Sequence, residues 1–226
     1  MSDRPPEIPK DLARPERRTQ RDRREGTIAK LIDATIASLL EVGYARSSVK
    51  EICARAGVSH GGLFRHFDSM IDLFMAASDE VGRRQLAYVE GGLARAAATE
   101  EPLVTVLHLL RDASRDPIND VFRELIVAAR TDPALHEALS AFGARYAQTI
   151  WESVSRMRSA ERFRPEVLAV LISSVLLLFE GESLTRTVHA VPELEDSRMK
   201  LLELFVQTLA ANPDAIRVPR SGPRGE

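Results

Sequence analysis

The 226-residue sequence holds one cysteine, Cys53, so no disulfide can close within the chain and no thiolate cluster can bind a metal. That composition fits a reducing compartment. The five histidines, at 60, 66, 108, 136 and 189, never fall in an H-x-x-x-H spacing, so neither a metal nor another cofactor is expected. No stretch alternates with the period of two that marks a strand, which removes sheet-based enzyme folds. The longest apolar run, Val167 to Phe179, contains two serines and is shorter than the roughly 20 residues that cross a bilayer. No signal peptide opens the chain, and the expectation is a soluble, cytoplasmic protein with no membrane partner. Strong net charge is also lacking: the formal balance is −2. It is split, with 13 Lys and Arg against 11 Asp and Glu in residues 1–75 and 18 against 22 thereafter.

What is present is helical periodicity, densest in meaning between Ser48 and Phe67. Ser48 stands three residues before Glu51, the spacing of a capping box, and Val49, Ile52, Cys53 and Ala56 give the following helix an inner face. Gly57 falls where a helix end wants a left-handed residue, and Val58 can plug the corner. Ser59 is a good N-cap for a second helix anchored by Leu63 and Phe67. The first helix braces and the second presents His60, Gly61, Gly62, Phe64, Arg65 and His66, as a DNA-reading helix-turn-helix does. Two adjacent glycines cost a helix about 1 kcal/mol each relative to alanine. They fit a helix start that must approach phosphates closely; the bland alternative is a loosened connector.

In this order, the stretch from Ile28 to about Phe74 resembles the DNA-binding domain of the TetR family of transcriptional regulators. The segments that carry the likeness are an amphipathic first helix, the Gly43-Tyr44 stop, SSVKEICARAGVS, GGLFRHF and a capped fourth helix at DSMIDLF. The resemblance implies DNA contacts from Ser48, Ser59, His60, Gly61, Gly62, Phe64, Arg65 and His66. It also marks departures. The family usually has tyrosine at the place of Phe64, lysine at that of Met70, often a hydroxyl residue at that of Gly62, and alanine at that of Cys53.

The remaining organisation is read from pattern. Residues 1–23 form a Pro- and Arg-rich arm with no apolar face, with six arginines between Arg14 and Arg24; it reads as disordered, either a solvated tail or an arm along DNA. Ile28, Leu31, Ile32, Thr35, Ile36 and Leu39 mark a first helix from about Arg24 to Val42. Residues 24–70 are then the reader, and 71–212 a helical body. In the body, turn signals at Asp116-Pro117, Asp132-Pro133, Arg164-Pro165 and Pro192 separate helices, for about nine in an all-α chain, and residues 213–226 form a disordered tail.

Within the body, His108, Phe122, Phe142, Tyr146, Trp151 and Met157 could line a ligand cavity, although an aromatic stripe at helical spacing is first of all packing. Val167 to Phe179 is apolar all round, and the last helix has an unusually wide stripe. The body could bury the helix at Val167 to Phe179 internally, or that helix could meet its own counterpart in a second copy, and Leu171, Val175, Leu178, Leu202, Phe205, Val206 and Leu209 are the residues expected at such a homodimer interface. The resemblance agrees, implying a four-helix dimer, a palindromic operator and a small-molecule effector. Gly57-Val58-Ser59-His60-Gly61 spells a nucleophile elbow, but that motif needs a strand feeding it and none is predicted, so no enzyme is expected. The competing reading is an all-helical interaction protein whose DNA-reading motif has degenerated, raised by Phe64, Met70 and Gly62.

Overall fold

The computed structural model describes residues 19–158, 160–213 and 215–216, and these contain nine α-helices, three 3-10 turns and no strand. Thr19 caps α1 (Gln20–Val42): the Asp22 N–H donates to its hydroxyl at 3.1 Å, and the Thr19 N–H donates back to the Asp22 carboxylate at 2.8 Å. The helix thus starts four residues before the expected Arg24. Its first turn is wholly exposed and gives no apolar periodicity, so only the cap and the Arg21–Glu25 pair at 2.8 Å announce it. The rest of the expected arm, and nearly all of the expected tail, lie outside the described residues.

Gly43, at φ +76°, ends α1 and leads through the turn Tyr44–Arg46 into α2 (Val49–Ala56). Gly57 ends α2 in the left-handed region, at φ +64°. Helix α3 (His60–Phe64) is a single short unit, so Phe67 lies beyond it. Helix α4 (Met70–Ala96) then runs from reader to body, capped by Ser69, which accepts the Asp72 N–H at 3.1 Å.

Leu31, Leu39, Ile52, Leu63 and Leu73 are fully or almost fully buried in one cluster, and that cluster also contains Val121 and Leu125 of α6 (Asp120–Ala129) and Leu135 of α7 (Pro133–Ser155). The reader therefore shares its core with α6 and α7, and packing continues across the boundary expected at residue 70. A second cluster joins the far half of α4 to α5 (Pro102–Ser114), α8 (Pro165–Arg186) and α9 (Pro192–Ala211) through Leu93, Leu107, Leu110, Phe179 and Val206. Gly92 allows the closest approach: a Cβ there would stand 2.3 Å from Leu109 Cδ1. The helix starts in the body follow the turn signals. Proline occupies the first turn of α5, α7, α8 and α9, and Asp132 caps α7 by accepting the Leu135 N–H at 3.0 Å.

Buried ions tie α5, α8 and α9 together, a feature no sequence pattern announced. Glu182, 6% exposed, accepts from Arg111 (3.1 Å), Arg115 (2.6 Å) and Arg198; Glu195, 4% exposed, accepts from Arg115 (2.9 Å) and Arg186. Burial works against the Glu182 charge, but the hydrogen bonds from Arg115 and Arg111 prevail and hold its carboxyl below the usual range.

Helix α8 has a mean hydropathy of 1.9 in its most apolar stretch, of which only 33% is buried, and by length and composition it could cross a membrane. Its outward side chains are Val170, Leu177 and Leu184, and α9 likewise exposes Leu194, Leu201 and Leu204. Most of the expected interface set instead faces the chain's own core. Val175, Val206 and Leu209 are buried in the chain's own core, and Leu171, Leu178 and Leu202 are half-buried against it. Of that set only Phe205, 45% exposed, faces outward. A helix that is apolar all round carries no periodicity by which inside and outside can be told apart.

Candidate nucleic-acid interface and its supports

The reader is built by two hydroxyl caps around a glycine corner. Ser48, exposed at the start of α2, accepts the Glu51 N–H at 3.3 Å. The reciprocal half of the expected capping box is not made, because the Glu51 carboxylate is taken by Arg55 at 2.7 Å. Ser59 caps α3 by accepting the Gly62 N–H at 3.1 Å. Leu63 is fully buried and fastens the short helix to the core.

The two glycines answer different needs. A Cβ on Gly62 would stand 2.8 Å from Val58 Cγ1 and 3.2 Å from Ser59 Oγ, so the corner itself asks for glycine. A Cβ on Gly61 would meet nothing within 4 Å, so no internal contact explains that residue. His60, Gly61, Phe64 and Arg65 share the exposed side, with the His60 and Phe64 rings 4.9 Å apart. Arg65 has no ion pair among the described residues and is free to meet a partner. His66 departs from the expectation: it is half-buried and its Nδ1 is enclosed without a hydrogen-bond partner among the described residues, so it is not part of the open face.

Two departures from the family pattern now have physical reasons. Met70, the first residue of α4, is half-buried against the reader's core. Cys53 packs in the same cluster, and burial pushes its thiol up, away from the thiolate that reactivity needs. The apparent nucleophile elbow has no strand before it, and its Ser59 oxygen is engaged as a helix cap.

Below the reader lies a contact that the sequence did not reveal. The Tyr44 hydroxyl donates to Asp132 Oδ2 at 2.8 Å, and the Tyr44 N–H donates to Glu124 Oε2 at 3.0 Å. Burial, with the Asp132 carboxylate beside it, pushes the Tyr44 phenol up to about 12. Asp132, in turn, is held below the usual carboxylate range by the Leu135 N–H and the Tyr44 hydroxyl. The partners are 80 and 88 positions apart, so no short-range pattern could have shown them.

The residues expected to line one ligand cavity are divided. Phe122, Phe142 and Tyr146 form a ring cluster with centroids 5.3 to 5.8 Å apart. Phe142 and Tyr146 border an open groove of about 500 Å³ between α4 and α7, beside Gly82, where a Cβ would come 3.3 Å from the Tyr146 ring. Trp151 and Met157 instead pack with Phe163 and Leu168 at the far end of the body. His108 faces α9, where its Nε2 lies 2.7 Å from the Glu203 carboxylate. No metal-binding cluster of His, Cys, Asp and Glu occurs among the described residues.

Residues 31–77, the stretch that forms this reader, match the family model described as bacterial regulatory proteins, tetR family. Over 185 residues the chain is 41% identical to an uncharacterized HTH-type transcriptional regulator of Mycobacterium tuberculosis, covering 82% of this chain and 95% of that protein. The chain belongs to the TetR family of HTH-type transcriptional regulators. It is also 34% identical over 128 residues to the HTH-type transcriptional regulator CymR of Pseudomonas putida, covering 55% of this chain and 62% of that one. Among solved structures, a putative transcriptional regulator from Pseudomonas aeruginosa shares the fold at a TM-score of 0.62 and 24% identity, covering 83% of this chain and 92% of that one. The multidrug binding protein EbrR, crystallised with imidazole, shares it at 0.61 and 20%, covering 86% and 97%. A TetR-family reader thus occupies the N-terminal part of this chain, and its fold and relatives are those of regulators rather than enzymes.

Proposed function

We propose that this TetR-family regulator is a cytoplasmic repressor that binds a palindromic operator as a homodimer and is released by a small-molecule effector. The observation that carries the reading is the outward apolar side chains of α8 and α9, of which Leu177 is 74% and Leu201 65% exposed among the described residues. A second copy meeting the same side chains through a twofold axis would bury them, and the two α3 helices would then address half-sites about 34 to 36 Å apart. On each half-site, His60, Phe64 and Arg65 are the side chains free to meet DNA, and Arg65 is the one whose chemistry reads a guanine edge. Met70 supplies no cation to a phosphate, so sequence-independent attraction rests on fewer charges than the family pattern implies. The α4–α7 groove, bordered by Phe142 and Tyr146, is the proposed effector site. EbrR, a structural neighbour that has been crystallised with imidazole and with malachite green, supports a ligand-responsive body.

Selection of an operator from random duplexes, with sedimentation of the free and bound protein, tests this reading. The expected result is a palindrome bound by two copies, and Leu177→Glu or Leu201→Glu should yield monomers with little operator affinity. A monomer at micromolar concentration in the unaltered protein, or a selected site without twofold symmetry, would sink it.

A further inference from the structure

We propose that the open groove between α6 and the first turns of α7 binds a small amphipathic carboxylate, and that its occupancy is felt by the reader through Asp132. The groove has a volume of about 820 Å³ and is separate from the one beside Phe142 and Tyr146. Its walls are apolar, formed by Ile126, Ala129, Pro133 and Leu139; Ile126 is 58% exposed, an unusual state for isoleucine in a helix packed on a core.

Two nitrogen-bearing side chains, Arg130 and His136, join those residues in the lining, beside the hydroxyls of Thr131 and Ser140. Neither Arg130 nor His136 has an ion pair or a side-chain hydrogen bond among the described residues. The other arginines of α6 and α7, Arg123 and Arg145, are held by carboxylates. None of the residues lining the groove is acidic. The groove therefore offers two N–H donors, one permanently cationic, and nothing to answer them. A carboxylate on a hydrocarbon or aromatic body matches both features: its oxygens can be gripped side-on by a guanidinium, and its body covers the apolar wall. A cation would find no anion here, and a bare inorganic ion would leave the wall wet.

The lining of the groove includes Thr131 and Pro133, the two chain neighbours of Asp132. Asp132 holds the start of α7 and the Tyr44 hydroxyl together. A ligand that pulls Arg130 and His136 toward each other bears on this turn, and the reader senses it through Tyr44. This transmission rests on the DNA-binding reading above; binding in the groove does not.

Calorimetric titration of the full-length protein with naphthalene-2-carboxylate, and with 2-naphthylmethanol as its neutral counterpart, tests the site. The carboxylate should bind at least tenfold more tightly than the alcohol. Arg130→Ala should erase that preference, His136→Asn should weaken it a few-fold, and Phe142→Leu should leave it unchanged. Because Arg130 is exposed and unpaired, unchanged melting of Arg130→Ala will separate lost binding from lost folding. Equal binding of acid and alcohol, no heat at millimolar acid, or sensitivity to Phe142→Leu instead of Arg130→Ala would each overturn the site. Tyr44→Phe should keep carboxylate binding while abolishing the shift in affinity for a fixed duplex that the ligand causes in the unaltered protein. Normal binding with no shift in the unaltered protein would overturn the transmission alone.

Discussion

The reader and the far body are held by opposite means. In the reader, the helix ends are set mainly by residues within a few positions of them: Thr19, Ser48, Ser59 and Ser69 cap helices, and Gly43 and Gly57 end them. In the far body, α5, α8 and α9 meet through the buried Arg111, Glu182 and Glu195 and the half-buried Arg115, whose pairs join elements remote in sequence. Local devices are worth about 1 kcal/mol apiece and fail gently. A buried charge network is worth little when compared with an apolar replacement, but breaking one partner of it costs about 3 to 5 kcal/mol. The same difference decides what can be read from sequence, since a cap has a spacing and an ion network has none.

The largest effect that would sharpen this contrast is expected at Glu182. Glu182→Leu leaves Arg111, Arg115 and Arg198 facing one another without their shared carboxylate, and should lower unfolding free energy by about 3 to 5 kcal/mol in denaturant titration. A loss under about 1 kcal/mol would mean that the network is solvated and the contrast false. The pH dependence follows the same group. Because the folded Glu182 carboxyl sits below its ordinary value, its contribution is fully present above the ordinary carboxylate range and is lost as pH falls through the folded value. Thermal melting from about pH 5 to pH 3 should therefore fall more steeply for the unaltered protein than for Glu182→Leu.

Next in size is Arg65→Ala, which should weaken operator binding by about 1 to 3 kcal/mol while affecting random duplex less. Equal loss on both would reassign Arg65 to phosphate. Ser48→Ala and Ser59→Ala each remove one hydroxyl cap and should cost about 1 kcal/mol of stability, measurable as a small shift in the denaturation midpoint. If either costs as much as Glu182→Leu, the reader is not built from independent local parts.

The smallest effects probe the DNA face. Gly61→Ala meets open space and should stabilise the fold by up to about 1 kcal/mol, yet weaken DNA binding if α3 approaches the duplex there. Met70→Lys should keep the fold, because a lysine stem can cover the same apolar surface, and should steepen the log-log salt dependence of DNA binding by about 0.9. An unchanged slope would place the start of α4 away from phosphates.

Much of the reader was legible in the sequence for this reason of locality. The caps at Ser48, Ser59 and Ser69, the left-handed Gly57 and the buried Ile52 and Leu63 all follow from short spacings. The early start of α1 did not, because Gln20 to Gly26 bury nothing. Gly62 was read as an approach to an outside surface, whereas its constraint is the Val58 side chain one turn back. In the body, helix number and proline starts were visible, but facing was not. Val175 and Leu177 are equally apolar in sequence; one is 3% exposed and the other 74%. The joint between the two regions, Tyr44 with Glu124 and Asp132, left no mark at all, since a single hydrogen bond between distant positions has neither period nor composition.

Helix α4 can finally be considered as a beam. It is 27 residues long, roughly 40 Å at the usual helical rise, and its neighbours close in where it has no side chain: the Tyr146 ring at Gly82 and, more tightly, Leu109 at Gly92. One grip lies at its middle and the other near its far end, and the reader is fastened to its first turns. A beam clamped at one end magnifies at the other whatever rotation the clamp permits, so a tilt of about 5° at Gly92 would carry the first turn through roughly 3 Å. That is the length of a hydrogen bond. Thickening the clamp by one methyl, as Gly82→Ala would, should therefore re-aim α3 without touching any residue that faces DNA.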